Sequence, residues 1–225
     1  MMSLAPPPAV GIALVVFFSV VAIVGAETGR QMLVNIGKPA ATIALLLIVG
    51  LPPHNTFGWL ITAGIIFSLL GDIFLLGDGD REFMIAVALV LVAHVLYSAA
   101  FFGVSGRSQT GSDAWSLPAP GYVVIVLTAV LVRLLWPGLG KMRIPVLVYA
   151  AAITVMVTSA LGTVGGPLPP TAAILAAAGA FIFYISDSTL AWNRFKRPYR
   201  HAPLITLSTY WVGQIGIALS ARLHG

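Results

Sequence analysis

The sequence predicts an all-α fold: a polytopic membrane helix bundle of about eight transmembrane helices, with residues 1–225 forming a single integral membrane domain. Three observations carry this reading. Only 8% of the 225 residues are charged, against roughly 25% in an ordinary soluble protein. Hydrophobic residues make up 59%, too many to hide behind a polar surface. The apolar residues also fall in runs of about 20, the length that crosses a bilayer. A soluble globule is therefore excluded, and so is a disordered chain, which would be polar and charged. The chain has no cysteine, which excludes disulfides, zinc ribbons, haem–thiolate sites and thiol nucleophiles.

The first run is Pro8–Gly25. No basic residue precedes it, since the first Lys or Arg is Arg30, so it reads as a retained helix and not as a cleaved signal peptide. The second, Lys38–Leu51, is short and begins on Lys38-Pro39. Pro52 and Pro53 then force a tight break before Phe57–Leu76. The turn Gly77-Asp78-Gly79-Asp80 has the look of a calcium-loop fragment but lacks the later ligands, and reads as an acidic turn. Phe83–Gly103 is the fourth span. The loop Ser105–Pro118 leads to Ala119–Trp136, and Ile144–Gly162 follows. A second tight break at Val164–Pro170 (VGGPLPP) precedes Pro170–Trp192, and Pro203–Ala221 is the last span.

Basic residues set the expected orientation. The odd-numbered connections carry Arg30, Lys38, Arg81, Arg133, Lys141, Arg143, Arg194, Lys196, Arg197 and Arg200. The even ones and the C-terminus carry Arg107 and Arg222, a split of ten against two. The positive-inside rule places the odd connections in the cytoplasm and both termini outside. The net charge of +5 thus belongs beside lipid headgroups, and no nucleic-acid partner is expected.

Of the seven acids, Glu27, Asp78, Asp80, Glu82 and Asp113 fall in loops or at span edges; Asp72 and Asp187 lie within apolar spans. An acid at the bilayer centre costs roughly 2.5–3.5 kcal/mol on insertion scales, so it faces a polar interior and marks a functional site by default. The bland reading is a buried carboxyl that ties helices together. Asp72 lies five residues before Gly77 and Asp187 seven before Arg194, so both sit roughly 8–10 Å from the cytoplasmic ends of their helices. Two carboxyls at one level can meet across a bundle, by a direct hydrogen bond or through one water. In low dielectric such a pair does not ionise twice, which leaves a proton donor beside a carboxylate.

Other rare polar residues mark out a pocket. Ser68 lies one turn before Asp72, and Tyr184 and Ser186 lie beside Asp187. His94 and Tyr97 share a face at i, i+3, as do Tyr210 and Gln214 at i, i+4. Tyr149 belongs to the cytoplasmic half of the sixth span, Lys38 opens the second, and His94 lies deeper, about 18 Å along its helix. Each has a plain alternative: an interhelical bond, an interfacial tyrosine or a snorkelling lysine. A hydrolytic zinc site is disfavoured, because His94 is the only histidine in a span. A serine triad lacks the GxSxG elbow. No metal and no cofactor are expected. A short echo between Ser68…Asp72 and Ser186-Asp187 is compatible with two parallel four-helix halves.

At these residues the chain resembles the YhhN family of membrane proteins, whose animal relatives are lysoplasmalogenases. The resembling stretches are Ser68–Leu76 (SLLGDIFLL), Ala93–Tyr97 (AHVLY), Phe183–Phe195 (FYISDSTLAWNRF) and Tyr210–Gln214 (YWVGQ), with Lys38-Pro39 also fitting. They cover most of the chain from about Lys38 onward. The resemblance implies an eight-helix hydrolase that cleaves the vinyl ether bond of a lysoplasmalogen to a fatty aldehyde and a glycerophospho-base, with Asp72 and Asp187 as its catalytic acids. The partners implied are a lysophospholipid substrate and membrane lipid, and the localisation a multi-pass protein of the cell membrane.

The residues fit that chemistry in their own right. A vinyl ether hydrolyses when its β-carbon is protonated, so the reaction needs a positioned acid and a carboxylate to favour the resulting cation. An aspartate pair supplies both, and the sequence does not assign which is the donor. Tyr149, Tyr210, His94 and Gln214 would orient water and glycerol oxygens, with Ser68, Tyr97 and Ser186 on the pocket wall. Lys38 and the basic seventh connection would attract the phosphate. The rival class is a transporter or proton-coupled carrier, which also uses paired intramembrane acids.

Overall fold

The computed structural model describes residues 7–77, 79–105 and 118–224. Asp78 of the acidic turn, Arg107 and Asp113 lie outside them. Among the described residues the regular structure is helical: α1 Pro8–Thr28, α2 Gln31–Val49, α3 Thr56–Phe74, α4 Asp80–Gly103, α5 Ala119–Leu135, α6 Arg143–Leu161, α7 Pro170–Phe195 and α8 Ala202–His224. Two short 3₁₀ turns, Trp136–Gly138 and Gly140–Met142, join α5 to α6. All eight long helices are apolar enough and long enough to cross a membrane. The protein is a multi-pass integral membrane protein.

Helix ends follow local chemistry. Proline at the first turn starts α1, α5 and α7, where its missing N–H costs nothing. Asn55 caps α3 by accepting from the Gly58 N–H at 2.8 Å. Gly29 closes α1 in the left-handed region at φ 71°.

The second span differs from its sequence reading. Lys38 does not open α2 but is its eighth residue, and Pro39 lies inside the helix. The turns before them are held by Gly37 against α1, where a Cβ would stand 2.7 Å from the Ala22 nitrogen. Proline is tolerated inside membrane helices because neighbouring groups satisfy the freed backbone. Lys38 therefore leaves the tally of loop charges, and the odd connections still hold most of the basic residues.

Sequential helices pack as hairpins, α1 with α2, α3 with α4, and α7 with α8. Helix α8 also touches α1, α2 and α3, which makes it the hub of the bundle. The α7–α8 approach rests on Gly179, Gly213 and Gly216. A Cβ on Gly179 would lie 2.7 Å from the Gly213 carbonyl oxygen, so backbone meets backbone there. The core holds Leu45, Ile48, Ile61, Ile65, Phe101, Met156, Phe183, Trp211 and Ile217. Outward faces are apolar too, with Phe17, Val126 and Val155 all more than half exposed. In water that would be an aggregation surface; in a bilayer it is the correct one.

Candidate active site

Asp72 comes from the last turns of α3 and Asp187 from the C-terminal third of α7. Both line one cavity, walled largely by apolar side chains such as Val87, Val90, Leu131, Val146, Ile153 and Ala191. Its lining also includes Leu75, Phe83, Leu135, Met142 and Phe195. These residues sit at the ends of helices that meet the odd-numbered connections, so the cavity lies towards the basic end of the bundle.

The two acids are held differently. Asp72 is buried, and its Oδ2 accepts from Thr42 Oγ1 at 2.7 Å and from the Tyr210 hydroxyl at 2.9 Å. The Lys38 ammonium stands 3.5 Å from Oδ1, also buried. Three donors, one of them a cation, thus converge on one carboxylate, the condition under which a buried charge is tolerated. Asp187 has fewer partners. The Tyr149 hydroxyl donates to its Oδ2 at 2.5 Å, and His94 Nε2 lies 3.5 Å from the same oxygen. The acids share a cavity, as their matched depth suggests, but among the described residues each bonds its own partners and no direct hydrogen bond joins them.

Behind Asp72 runs a chain of hydrogen bonds. Tyr97 donates to Gln214 Oε1 at 2.9 Å, Gln214 Nε2 donates to the Tyr210 hydroxyl at 3.4 Å, and Tyr210 donates to Asp72. This links α4, α8 and α3 and fixes the direction of the Tyr210 O–H. Tyr97 reaches Gln214 because Gly64 leaves its ring room: a Cβ there would stand 2.2 Å from a ring carbon. Trp211 Nε1, 3.4 Å from Thr42 Oγ1, closes the other side.

The structure sorts the sequence candidates. Lys38, Asp72, Tyr149, Ser186, Asp187 and Tyr210 line the cavity. Tyr97, His94, Gln214 and Ser68 lie behind its wall, fully buried. His94 is clamped edge-on between Tyr149 and Phe183, with ring centroids 5.0 and 5.3 Å away. Ser68 approaches the Tyr97 hydroxyl without meeting hydrogen-bond geometry and makes no bond to Asp72. The Ser186 hydroxyl donates to the Thr206 carbonyl at 2.8 Å and so ties α7 to α8. Lys38 pairs with Asp72, not with an open phosphate site. Tyr184 turns from Asp187 towards Thr128, at 3.3 Å.

Sequence reasoning missed Thr42. A threonine in an apolar run looks like any small helix residue, and the available signal was its position one turn after Lys38. No group of three or more metal-capable side chains occurs among the described residues.

The YhhN family model matches residues 34–221, from within α2 to within α8. The chain belongs to the YhhN family. It is 30% identical over 187 residues to the membrane protein YhhN of Escherichia coli O6:H1, a match covering 83% of this chain and 86% of that one. It is 32% identical over 165 residues to the lysoplasmalogenase TMEM86A of Bos taurus, covering 72% and 64%. Human lysoplasmalogenase TMEM86B is 32% identical over 170 residues, covering 75% and 66%. No solved structure matches. For this family member, Asp72, Asp187 and their partners Lys38, Thr42, His94, Tyr149 and Tyr210 all fall inside the matched stretch.

Proposed function

We propose that this protein is a membrane-embedded hydrolase that cleaves the vinyl ether bond of a single-chain ether phospholipid of the lysoplasmalogen class. The observation that carries the reading is one apolar cavity holding two carboxylates with unequal surroundings. Relatives named lysoplasmalogenase support the substrate class.

Asp72, facing an ammonium and two hydroxyl donors, is the standing carboxylate. Asp187, held by one phenol and facing the cavity, is the proton donor. It gives its proton to the β-carbon of the vinyl ether, and the positive charge that develops over the α-carbon and ether oxygen is stabilised by Asp72. Water adds to the α-carbon and returns a proton to Asp187. The hemiacetal then collapses: its C–O bond to glycerol breaks, its hydroxyl proton passes to the departing glycerol oxygen, and the aldehyde is released. Tyr149 and Tyr210 fix which carboxylate oxygens face the substrate. Tyr97 and Gln214 orient Tyr210, while His94 packs against Tyr149 and holds its ring.

The test is to incubate purified protein with a lysoplasmalogen and, separately, with the ester lysophospholipid of the same chain length. Aldehyde from the first and no product from the second is the expected result. Uptake of unaltered lipid into sealed proteoliposomes, with no aldehyde formed, would favour a carrier.

A further inference from the structure

The outer face of the bundle carries a second groove, between α5 and α6, separate from the catalytic cavity yet sharing a wall with it. Thr128, Val132 and Ala150 line both. The partition between them is thin and polar at one point: Thr128 Oγ1 lies 2.9 Å from Thr154 Oγ1 on the groove side and 3.3 Å from the Tyr184 hydroxyl on the cavity side. Helix α5 is also lightly seated, since only Gly121, Val124, Thr128 and Leu135 of its 17 residues are buried. Tyr122, Val123 and Val126 on its far side are each about 60% exposed.

The groove is apolar along its floor and cationic at one end. Ile125, Ala129, Leu147 and Val155 give it an acyl-like lining, and from Ile125 to Pro137 it runs about 18 Å along α5. Arg133, Lys196 and Trp136 stand at the end that meets the basic connections. Lys196 Nζ donates to the Leu134 carbonyl at 3.0 Å, and the Arg143 guanidinium lies 4.9 Å over the Trp136 ring. One apolar lane ending in a cluster of cations matches one acyl or alkenyl chain ending in a phosphate. A smaller groove on the other flank of α5 also touches the cavity wall, at Leu131, Tyr184 and Ser188, but has no cation on its lining.

We propose that the α5–α6 groove is a binding site for a single-chain phospholipid, phosphate against Arg133 and Lys196, and that the lipid passes from it into the catalytic cavity by parting the Thr128–Thr154 contact. The substrate identity rests on the hydrolase reading, whereas occupancy of the groove does not.

The probe is a lysophosphatidylcholine with a diazirine in its chain, applied to the protein in diacylphosphatidylcholine nanodiscs. Mass spectrometry should map labels to groove residues such as Ala129, Leu147 and Ala151. Unlabelled lysophosphatidylcholine should compete and extra diacyl lipid should not. Arg133→Gln with Lys196→Gln should weaken competition about tenfold, the worth of a lost charge-assisted contact. Labels spread over α1 at Phe17 and Val20, or concentrated at Trp192 and Ile205, would overturn the proposal.

A second measurement tests passage. The chain has no cysteine, so Thr128→Cys with Thr154→Cys introduces the sole pair, placed where the two hydroxyls now meet. On oxidation, its turnover of long-chain lysoplasmalogen should fall much further than its cleavage of a short-chain, water-soluble vinyl ether, each measured against its own reduced form. Equal long-chain rates with the disulfide confirmed would contradict passage through this seam. Groove labelling without any aldehyde would leave the binding site standing and refute the hydrolase; aldehyde without groove labelling would do the reverse.

Discussion

Asp72 and Asp187 are both intramembrane acids, and they have different partners. If they divide the roles of proton donor and cation stabiliser, Asp72→Asn and Asp187→Asn each lower aldehyde release by 10²–10⁴-fold, the usual worth of general acid–base help. The double variant is little worse than either single one, because groups acting as a unit are not additive. Near-normal release from either, with the protein eluting as a folded species, ends the dyad mechanism. The buried Lys38–Asp72 pair makes its own prediction. Lys38→Met leaves an uncompensated charge and destabilises by roughly 3–5 kcal/mol, and adding Asp72→Asn restores part of that loss. Thermal unfolding in detergent checks it; simple additivity of the two losses would contradict it. At this scale the acids were legible in the sequence because charge is so rare in these spans. Thr42 was not, and neither were the deflections of Ser186 to the α8 backbone and of Lys38 to Asp72. Those depend on which helices are neighbours, and a side chain's direction is known only once the bundle is assembled.

The helices themselves were legible to within a few residues, since runs of about 20 apolar residues bounded by Pro and Gly leave little choice. The start of α2 was the exception. Lys38-Pro39 looks like a boundary when charge and proline are read as breakers, but the close packing of Gly37 on α1 carries the helix through it. Packing at the α7–α8 seam is just as demanding. Gly179→Leu places side-chain atoms where the α8 backbone now lies, and a backbone cannot yield as a flexible side chain can. The expected result is a marked drop in unfolding temperature with loss of activity, since α7 carries Asp187 and α8 carries Tyr210. Unchanged stability would show that the seam is looser than the structure has it.

For the whole molecule, the basic residues of the odd connections and the cavity collect at the same end of the bundle. We propose that this end faces the cytoplasm and that both termini lie outside. A reporter fused after Gly225 that works only in the cytoplasm contradicts the orientation. Isotope incorporation shows whether protonation at carbon starts the cleavage. Purified protein is given a lysoplasmalogen in heavy water enriched in oxygen-18, the aldehyde is trapped as it forms, and both products are weighed by mass spectrometry. Cleavage begun at carbon puts one deuterium on the aldehyde carbon next to the carbonyl and leaves the glycerophospho-base with no oxygen-18. Oxygen-18 in the glycerophospho-base, or an aldehyde that has gained no deuterium at carbon, would contradict it.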